Sequence, residues 1–406
     1  MLNDSDHIVI VGAGLAGWRF AEAIRREGFI GRLTLVGEEA HYPYDRPPLS
    51  KQVLLGRWDV GKVALATDEL IEKYDVQLRL GERATALDVA STTVRVEGGS
   101  SIVGSHVVIA TGTRARRLQY SAQRDLFTLR SRDDAVRLLE ALEQLEPQST
   151  VAVVGGGFIG AEVATALQAR GLRPVVLEAA KRPLIAILGE QVSTWLERLA
   201  NNAGIELRTE QKVSDIEKVE GGFRLHFENS LPLDSAIVIV AAGAVANVEW
   251  LANSGLTIDN GVVVSADLLA TERIGAIGDV ARFTWPNTAG EESVRIEHWQ
   301  TANDHASSLA RFWMTGAHTD GLMVPYFWSD QYGKKIQMLG HARPSDDVQL
   351  VSGSLDEAKW TAVYSRAGTV TGVVTLSHPR ALMLSKKLLE STTTLENALV
   401  DAPWSN

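Results

Sequence analysis

Short apolar runs that stop at glycine set the pattern of this chain. His7–Val11 is a β-branched run leading into Gly12-Ala13-Gly14-Leu15-Ala16-Gly17. A helical stretch follows from Trp18 to Glu27, closed by Gly28, and a second strand, Arg32–Val36, ends beside Glu38 and Glu39. The order then recurs. Thr150–Val154 enters Gly155-Gly156-Gly157-Phe158-Ile159-Gly160, a helix runs from Ala161 to Arg170, and after Gly171 the strand Pro174–Leu177 ends at Glu178. Two more strands, His106–Thr111 and Ala236–Ala242, stop at Gly112 and Gly243 and read as crossovers between the halves; Ile274–Ile277 stops at Gly278-Asp279. From about Val324 the pattern changes to short strands: Pro325–Trp328, Ile336–Gly340, Val348–Ser352, Trp360–Ser365 and Val370–Leu376. A helix over Arg380–Ser391 is expected to end the fold. The fold class predicted is α/β: two Rossmann-like halves and a C-terminal α+β domain.

Each strand–GxGxxG–helix–strand unit with an acid about 20 residues on is built for a dinucleotide. Gly12 permits the tight turn, Gly14 lets a pyrophosphate reach the backbone, and Gly17 lets helix and strand pack closely. The helix N-terminus adds N–H donors and a positive dipole end. Glu38, or alternatively Glu39, is the expected acceptor for a ribose 2′-hydroxyl. In the second unit, a carboxylate at Glu178 would accept from the adenosine 2′-hydroxyl of NAD and repel a 2′-phosphate. Lys181 and Arg182 could serve a phosphate but lie beyond the strand end, so NADH is expected over NADPH. Two such units at domain spacing imply two nucleotide sites, FAD in the first and the nicotinamide cofactor in the second.

Composition narrows the chemistry. The 406 residues contain no cysteine, which excludes disulfide scaffolds, thiolate metal sites, protein-ligated iron–sulfur clusters and cysteine-based catalysis. No metal site is expected. A net charge of −10 without a long single-sign run argues against nucleic acid as the main partner. The longest apolar run, Ala236–Ala246, is too short to span a bilayer. The acidic opening Met1-Leu2-Asn3-Asp4-Ser5-Asp6 is unlike a signal peptide, so a cytoplasmic protein is expected.

Taken in order, the motifs resemble the FAD-dependent, NADH-oxidising ferredoxin reductases. These are the reductase components of bacterial aromatic-ring-hydroxylating dioxygenase systems (biphenyl and toluene dioxygenase) and the putidaredoxin reductase-like enzymes of cytochrome monooxygenases. Besides the fingerprints, the carriers are Pro43-Tyr44-Asp45-Arg46-Pro47-Pro48-Leu49-Ser50-Lys51, Ala110-Thr111-Gly112, Thr128-Leu129-Arg130, Glu162, Gly278-Asp279, Glu297-His298-Trp299 and Phe327-Trp328-Ser329-Asp330-Gln331. The resemblance covers essentially the whole chain. It implies a glutathione-reductase-like organisation: an FAD domain over 1–114 and 245–322, an NADH domain over 115–244, and a C-terminal domain over 323–406.

It also implies hydride transfer from NADH to FAD, then single-electron transfer to a small iron–sulfur ferredoxin of the Rieske or plant/adrenodoxin 2Fe–2S type. Lys51 and Glu162 would form an ion pair beside the isoalloxazine, with Glu162 read in the first turn of its helix. Leu15, Ala16, Arg46, Ala110, Thr111, Gly112, Arg130, Gly278, Asp279, Glu297, His298, Trp299 and Trp328 would contact FAD or line its site; Gly155, Gly157, Phe158, Ile159, Gly160, Glu178 and Gly243 would hold NADH. Lys334, Lys335, Lys386 and Lys387, local positive charges in an acidic chain, could meet an acidic ferredoxin or be ordinary surface lysines. There are two departures. Trp18 stands where a small residue is usual, as cofactor cover or packing, and Ala242-Gly243-Ala244 replaces a Gly-x-Gly. The protein is expected to be a monomer or weak homodimer. Rubredoxin reductase, a cysteine-free NADH oxidase and a redox-responsive interaction protein like apoptosis-inducing factor are the alternatives.

Overall fold

The computed structural model describes residues 2–120, 122, 125–284, 293–318, 324–354, 357 and 359–405. The chain divides into two compact units: Met1–Asp45, Val63–Arg114 and Val245–Phe327 form the first, and Arg46–Lys62, Ala115–Ala244 and Trp328–Asn406 the second. The short segment Arg46–Lys62 thus groups with the second fingerprint, although the sequence reading placed it with the first. The expected boundary at 322/323 lies outside the described residues.

In the first unit a six-stranded sheet runs in the order Leu269–Thr271, Ile274–Ala276, His106–Ile109, His7–Val11, Arg32–Gly37, Val76–Leu80. All pairs are parallel except the one made by Leu269–Thr271. Ile8, Val9 and Ile10 are fully buried, which is why this strand reads as a continuous apolar run rather than an alternating one. Helix Leu15–Arg26 begins three residues earlier than expected, so Gly17 lies inside its first turn. Trp18 packs fully buried in the core, edge-on to Tyr74 at 6.2 Å; it is packing, not cofactor cover. Phe20 meets Trp313 of helix Trp299–Thr315 edge-on at 5.6 Å.

In the second unit a four-stranded parallel sheet runs Glu206–Arg208, Arg173–Leu177, Thr150–Val154, Ile237–Val240. Helix Phe158–Ala169 follows the second glycine loop. A five-stranded sheet takes the order Tyr326–Gln331, Lys334–Gly340, Thr369–Leu376, Trp360–Arg366, Asp347–Gly353; only the last four residues of its first strand fall in this unit. Trp360 packs edge-on against Trp195 of helix Ile185–Asn202 at 5.0 Å, and the Tyr364 hydroxyl donates to the Leu188 carbonyl at 2.8 Å. The helix expected to end the fold, Pro379–Glu390, is followed by another, Leu395–Asp401, whose N-cap Thr394 side chain accepts from Asn397 N–H. Among the described residues no helix is long and apolar enough to cross a membrane.

Candidate functional site: two glycine cradles and a buried ion pair

Both fingerprint turns close in the same way. Gly12 and Gly155 sit at φ 118° and 113°, a region that β-carbons disfavour. A Cβ at Gly12 would lie 2.2 Å from the Ala110 carbonyl oxygen; one at Gly155 would lie 2.5 Å from that of Ala241. A Cβ on Gly17 would stand 2.0 Å from Gly12 O, and one on Gly160 2.0 Å from Gly155 O. Gly14 and Gly157, by contrast, face open space. These two are the N-caps, and neither helix has a side-chain cap or an acid in its first turn. Helix Arg132–Leu142 has both, with Ser131 and Asp134 in a capping box. The two fingerprint helices therefore begin without a capping side chain or a first-turn acid, an arrangement that fits a pyrophosphate.

In the first unit the residues expected around FAD are held by neighbours. Thr111 Oγ1 donates to Asn247 O at 2.8 Å, and Asn247 Nδ2 returns a bond to Thr111 O at 2.9 Å. Ala110 is buried, and Gly112 turns the chain at φ 60°. Gly278, at φ 69°, lies so near Ala16 that a Cβ would approach its methyl to 2.8 Å. Its N–H donates to Nδ1 of fully buried His305 at 3.2 Å. Burial pushes the His305 imidazole down to about 3, with Asp279 opposing the shift. Thr113 Oγ1 donates to Asp279 at 3.4 Å, while Arg295 bonds the Asp279 carbonyl at 3.0 Å and Glu297 at 2.6 Å. Trp299 Nε1 donates to Asp45 Oδ1 at 2.7 Å, and the His298 ring stands 5.0 Å from that of Phe327. Glu38 is exposed, 3.7 Å from Arg83, and Glu39 accepts from the Tyr44 hydroxyl at 2.5 Å. Leu15 is half-buried.

In the second unit Glu178 Oε2 accepts from Gly156 N–H and Oε1 from Ala180 N–H, each at 2.8 Å. The acid is clamped onto the glycine loop. Phe158 is half-buried, Ile159 is exposed, and Gly243 is exposed at φ 90°. Arg46 Nη1 donates to the Arg130 carbonyl at 2.7 Å, and Arg130 N–H to Asp134 at 3.0 Å. Trp328 is half-buried in its strand. Lys335 pairs with Asp330 at 3.8 Å and Lys386 with Glu390 at 3.5 Å.

Lys51 and Glu162 meet, Nζ to Oε2 at 2.7 Å, with both side chains largely buried. Lys51 rides on a π-helical turn, Leu49–Val53, in which Val53 N–H bonds Pro48 O and Leu54 N–H bonds Leu49 O. Glu162 is the fifth residue of its helix, one position beyond the first turn, which corrects the expectation. Helix-dipole compensation does not account for it; its partners do. Ser50 Oγ donates to Glu162 at 2.6 Å, Ser329 Oγ at 2.7 Å and Asp330 N–H at 3.4 Å, while Gln331 Nε2 donates to Ser329 Oγ at 3.0 Å. Four donors on a nearly buried carboxylate hold it in place and aim Lys51. Ser50 and Ser329 stood in matched motifs without an assigned role, and Asn247 and His305 gave no sequence signal at all.

The family model of pyridine nucleotide-disulphide oxidoreductases matches residues 6–306, and a reductase C-terminal domain matches residues 326–404. Rhodocoxin reductase of Rhodococcus erythropolis is 34% identical over 94% of this chain and 89% of its own. The benzene 1,2-dioxygenase system ferredoxin–NAD(+) reductase subunit of Pseudomonas putida is 32% identical over 97% and 94%. Among solved structures, the reductase in a covalent putidaredoxin reductase–putidaredoxin complex is similar over 100% of both chains at TM-score 0.91 and 28% identity. The thiol chemistry in the family's title is closed to a chain without cysteine. The chain belongs to the pyridine nucleotide-disulphide oxidoreductases, as an FAD- and NAD(H)-using oxidoreductase that carries the reductase C-terminal domain.

Proposed function

We propose that this protein passes electrons from NADH through FAD to a small iron–sulfur ferredoxin that feeds an oxygenase. The observation that carries the reading is a pair of glycine cradles whose helices begin without a side-chain cap or a first-turn acid, in a cysteine-free chain. With no thiol to act as relay, electrons leave the flavin for an external acceptor. The named activities of the similar reductases support a ferredoxin in that role. FAD, when bound, accepts hydride and releases electrons one at a time.

In this proposal the FAD domain is 1–114 and 245–322, the NADH domain 115–244 and the C-terminal domain 323–406, with Arg46–Lys62 lying in the compact unit that holds the second fingerprint. Gly12, Gly14, Leu15, Ala16, Gly17, Ala110–Gly112, Gly278, Asp279, Glu297–Trp299, Arg46, Arg130 and Trp328 serve FAD, with Glu38 or Glu39 at the ribose. Gly155, Gly157–Gly160, Glu178 and Gly243 serve NADH. Lys51, held by Glu162, stabilises the electron-rich reduced flavin. The ferredoxin is of the Rieske or plant/adrenodoxin type, and the protein works in the cytoplasm as a monomer or weak homodimer. The test is NADH-driven cytochrome c reduction by the flavin-loaded protein, with and without candidate ferredoxins. Strong dependence on one ferredoxin is expected; fast oxygen uptake without any carrier would overturn the reading in favour of an oxidase.

A further inference from the structure

Immediately beyond Glu178 the chain carries two cations that an adenosine 2′-phosphate would attract, Lys181 and Arg182. Both are already engaged by one helix. Glu190 Oε1 accepts from Lys181 Nζ at 3.2 Å and from Arg182 Nε at 2.9 Å, and Arg182 Nη1 also donates to Glu197. Glu190 does not owe its place to a regular helical face. It follows Gly189, whose backbone (φ 71°, ψ 178°) breaks Ile185–Asn202 and re-aims the chain beside the loop. The hydrogen bonds from Arg182 and then Lys181 hold the Glu190 carboxyl below the usual carboxylate range, so the pairing persists at neutral pH.

We propose that Glu190 and Glu197 are specificity determinants for NADH: by holding Lys181 and Arg182 they deny a 2′-phosphate the cations that would bind it. The inference rests on the reading of the second cradle as the NADH site. It goes beyond the repulsion supplied by Glu178, which is clamped to Gly156 and Ala180 and leaves the neighbouring positive charge uncancelled. Exposed ion pairs add little to stability, but discrimination depends on the field they leave near the ribose.

The test compares competition of 5′-AMP and 2′,5′-ADP against NADH in the flavin-loaded parent, in Glu190→Gln and in Glu190→Gln/Glu197→Gln, alongside the NADPH/NADH ratio of kcat/KM. Binding of 2′,5′-ADP is expected to tighten about five-fold in the single variant and further in the double, and to fade as salt rises. 5′-AMP should change less than two-fold. Adding Lys181→Met and Arg182→Met to the double variant should abolish the gain. An unchanged 2′,5′-ADP affinity overturns the proposal, and so does a gain that survives loss of both cations. If neither nucleotide competes in the parent, the second cradle is not the NADH site, and that reading falls first.

Discussion

The two glycine loops share their backbone geometry and differ in what fills it. Gly12 N–H bonds Val36 O and Gly155 N–H bonds Leu177 O, both at 2.8 Å. Registers Val11↔Val36 and Val154↔Leu177 make Gly37 and Glu178 equivalent, and likewise Ala13 and Gly156. In the first loop the methyl of Ala13 occupies the space, and a Cβ at Gly37 would meet it at 2.5 Å. In the second, Glu178 fills the space, and a Cβ at Gly156 would stand 3.0 Å from its carboxylate. The same volume is closed by a methyl in one cradle and a carboxylate in the other. Four residues into each helix the contrast recurs: Arg19 bonds Glu22 along its own helix, while Glu162 reaches out to Lys51, Ser50 and Ser329. The turn is the common requirement, and the acids make the second loop different.

The largest test breaks the shared part. Gly17→Ala and Gly160→Ala should each cost about 3 kcal/mol or more, because a carbonyl oxygen must move. Gly14→Ala and Gly157→Ala should leave apoprotein stability within about 0.5 kcal/mol. Denaturant unfolding of all four decides it; equal losses would break the claim that Gly17 and Gly160, unlike Gly14 and Gly157, are fixed by packing.

Next, Glu162→Ala orphans several buried donors and should cost about 3 kcal/mol, with slower flavin reduction by NADH in stopped flow. Arg19→Ala, at the matching position, should cost less, about 1–2 kcal/mol, because the buried Glu22 keeps Arg26 at 3.9 Å.

The third concerns pH and the first unit. His305 accepts from Gly278 N–H through Nδ1, so its charged form is excluded from the fold. Its pKa of about 3 lies below the ordinary 6.5, so the unfolded chain binds more protons in that window. Stability should therefore fall as pH drops from 6.5 towards 3, by up to about 1.4 kcal/mol per pH unit from this group. His305→Asn, followed by chemical denaturation at stepped pH, should flatten that slope; an unchanged slope would remove His305 as its source.

The smallest effects compare the acids. Glu178→Ala should lower the NADH/NADPH ratio of kcat/KM by about ten-fold. Glu38→Ala should alter stability by less than about 0.5 kcal/mol, since its partner Arg83 is also exposed. A Glu178→Ala protein with unchanged selectivity would erase the functional difference between the loops.

What could be read from sequence was local. Glycine spacing and β-branched runs report their own backbone, so both fingerprints and the C-terminal strands were legible to within a few residues. The helix starts were set late, at Trp18 and Ala161, because Gly17 and Gly160 look like loop yet serve helix packing. The Lys51–Glu162 pair was legible through resemblance alone. Its support from Ser329, like the Thr111–Asn247 clasp and the Gly278–His305 bond, joins residues far apart in sequence that no periodicity connects. Nothing local in the sequence shows that Arg46–Lys62 clusters with the second fingerprint, where its turn Leu49–Val53 packs against helices Arg132–Leu142 and Phe158–Ala169 of the same unit.

The π-helical turn at Leu49–Val53 makes the bearing of Lys51 a matter of residue count. Successive residues of an α-helix are offset by about 100°, and a π-turn accommodates one more before the chain rejoins its anchor. Leu49 and Val53 are both buried and act as fixed pins on either side of the lysine. A chain one residue shorter between those pins would keep the lysine and the glutamate but put them out of angular phase. Insertions and deletions in this turn are therefore barred more strictly than substitutions at any single one of its side chains.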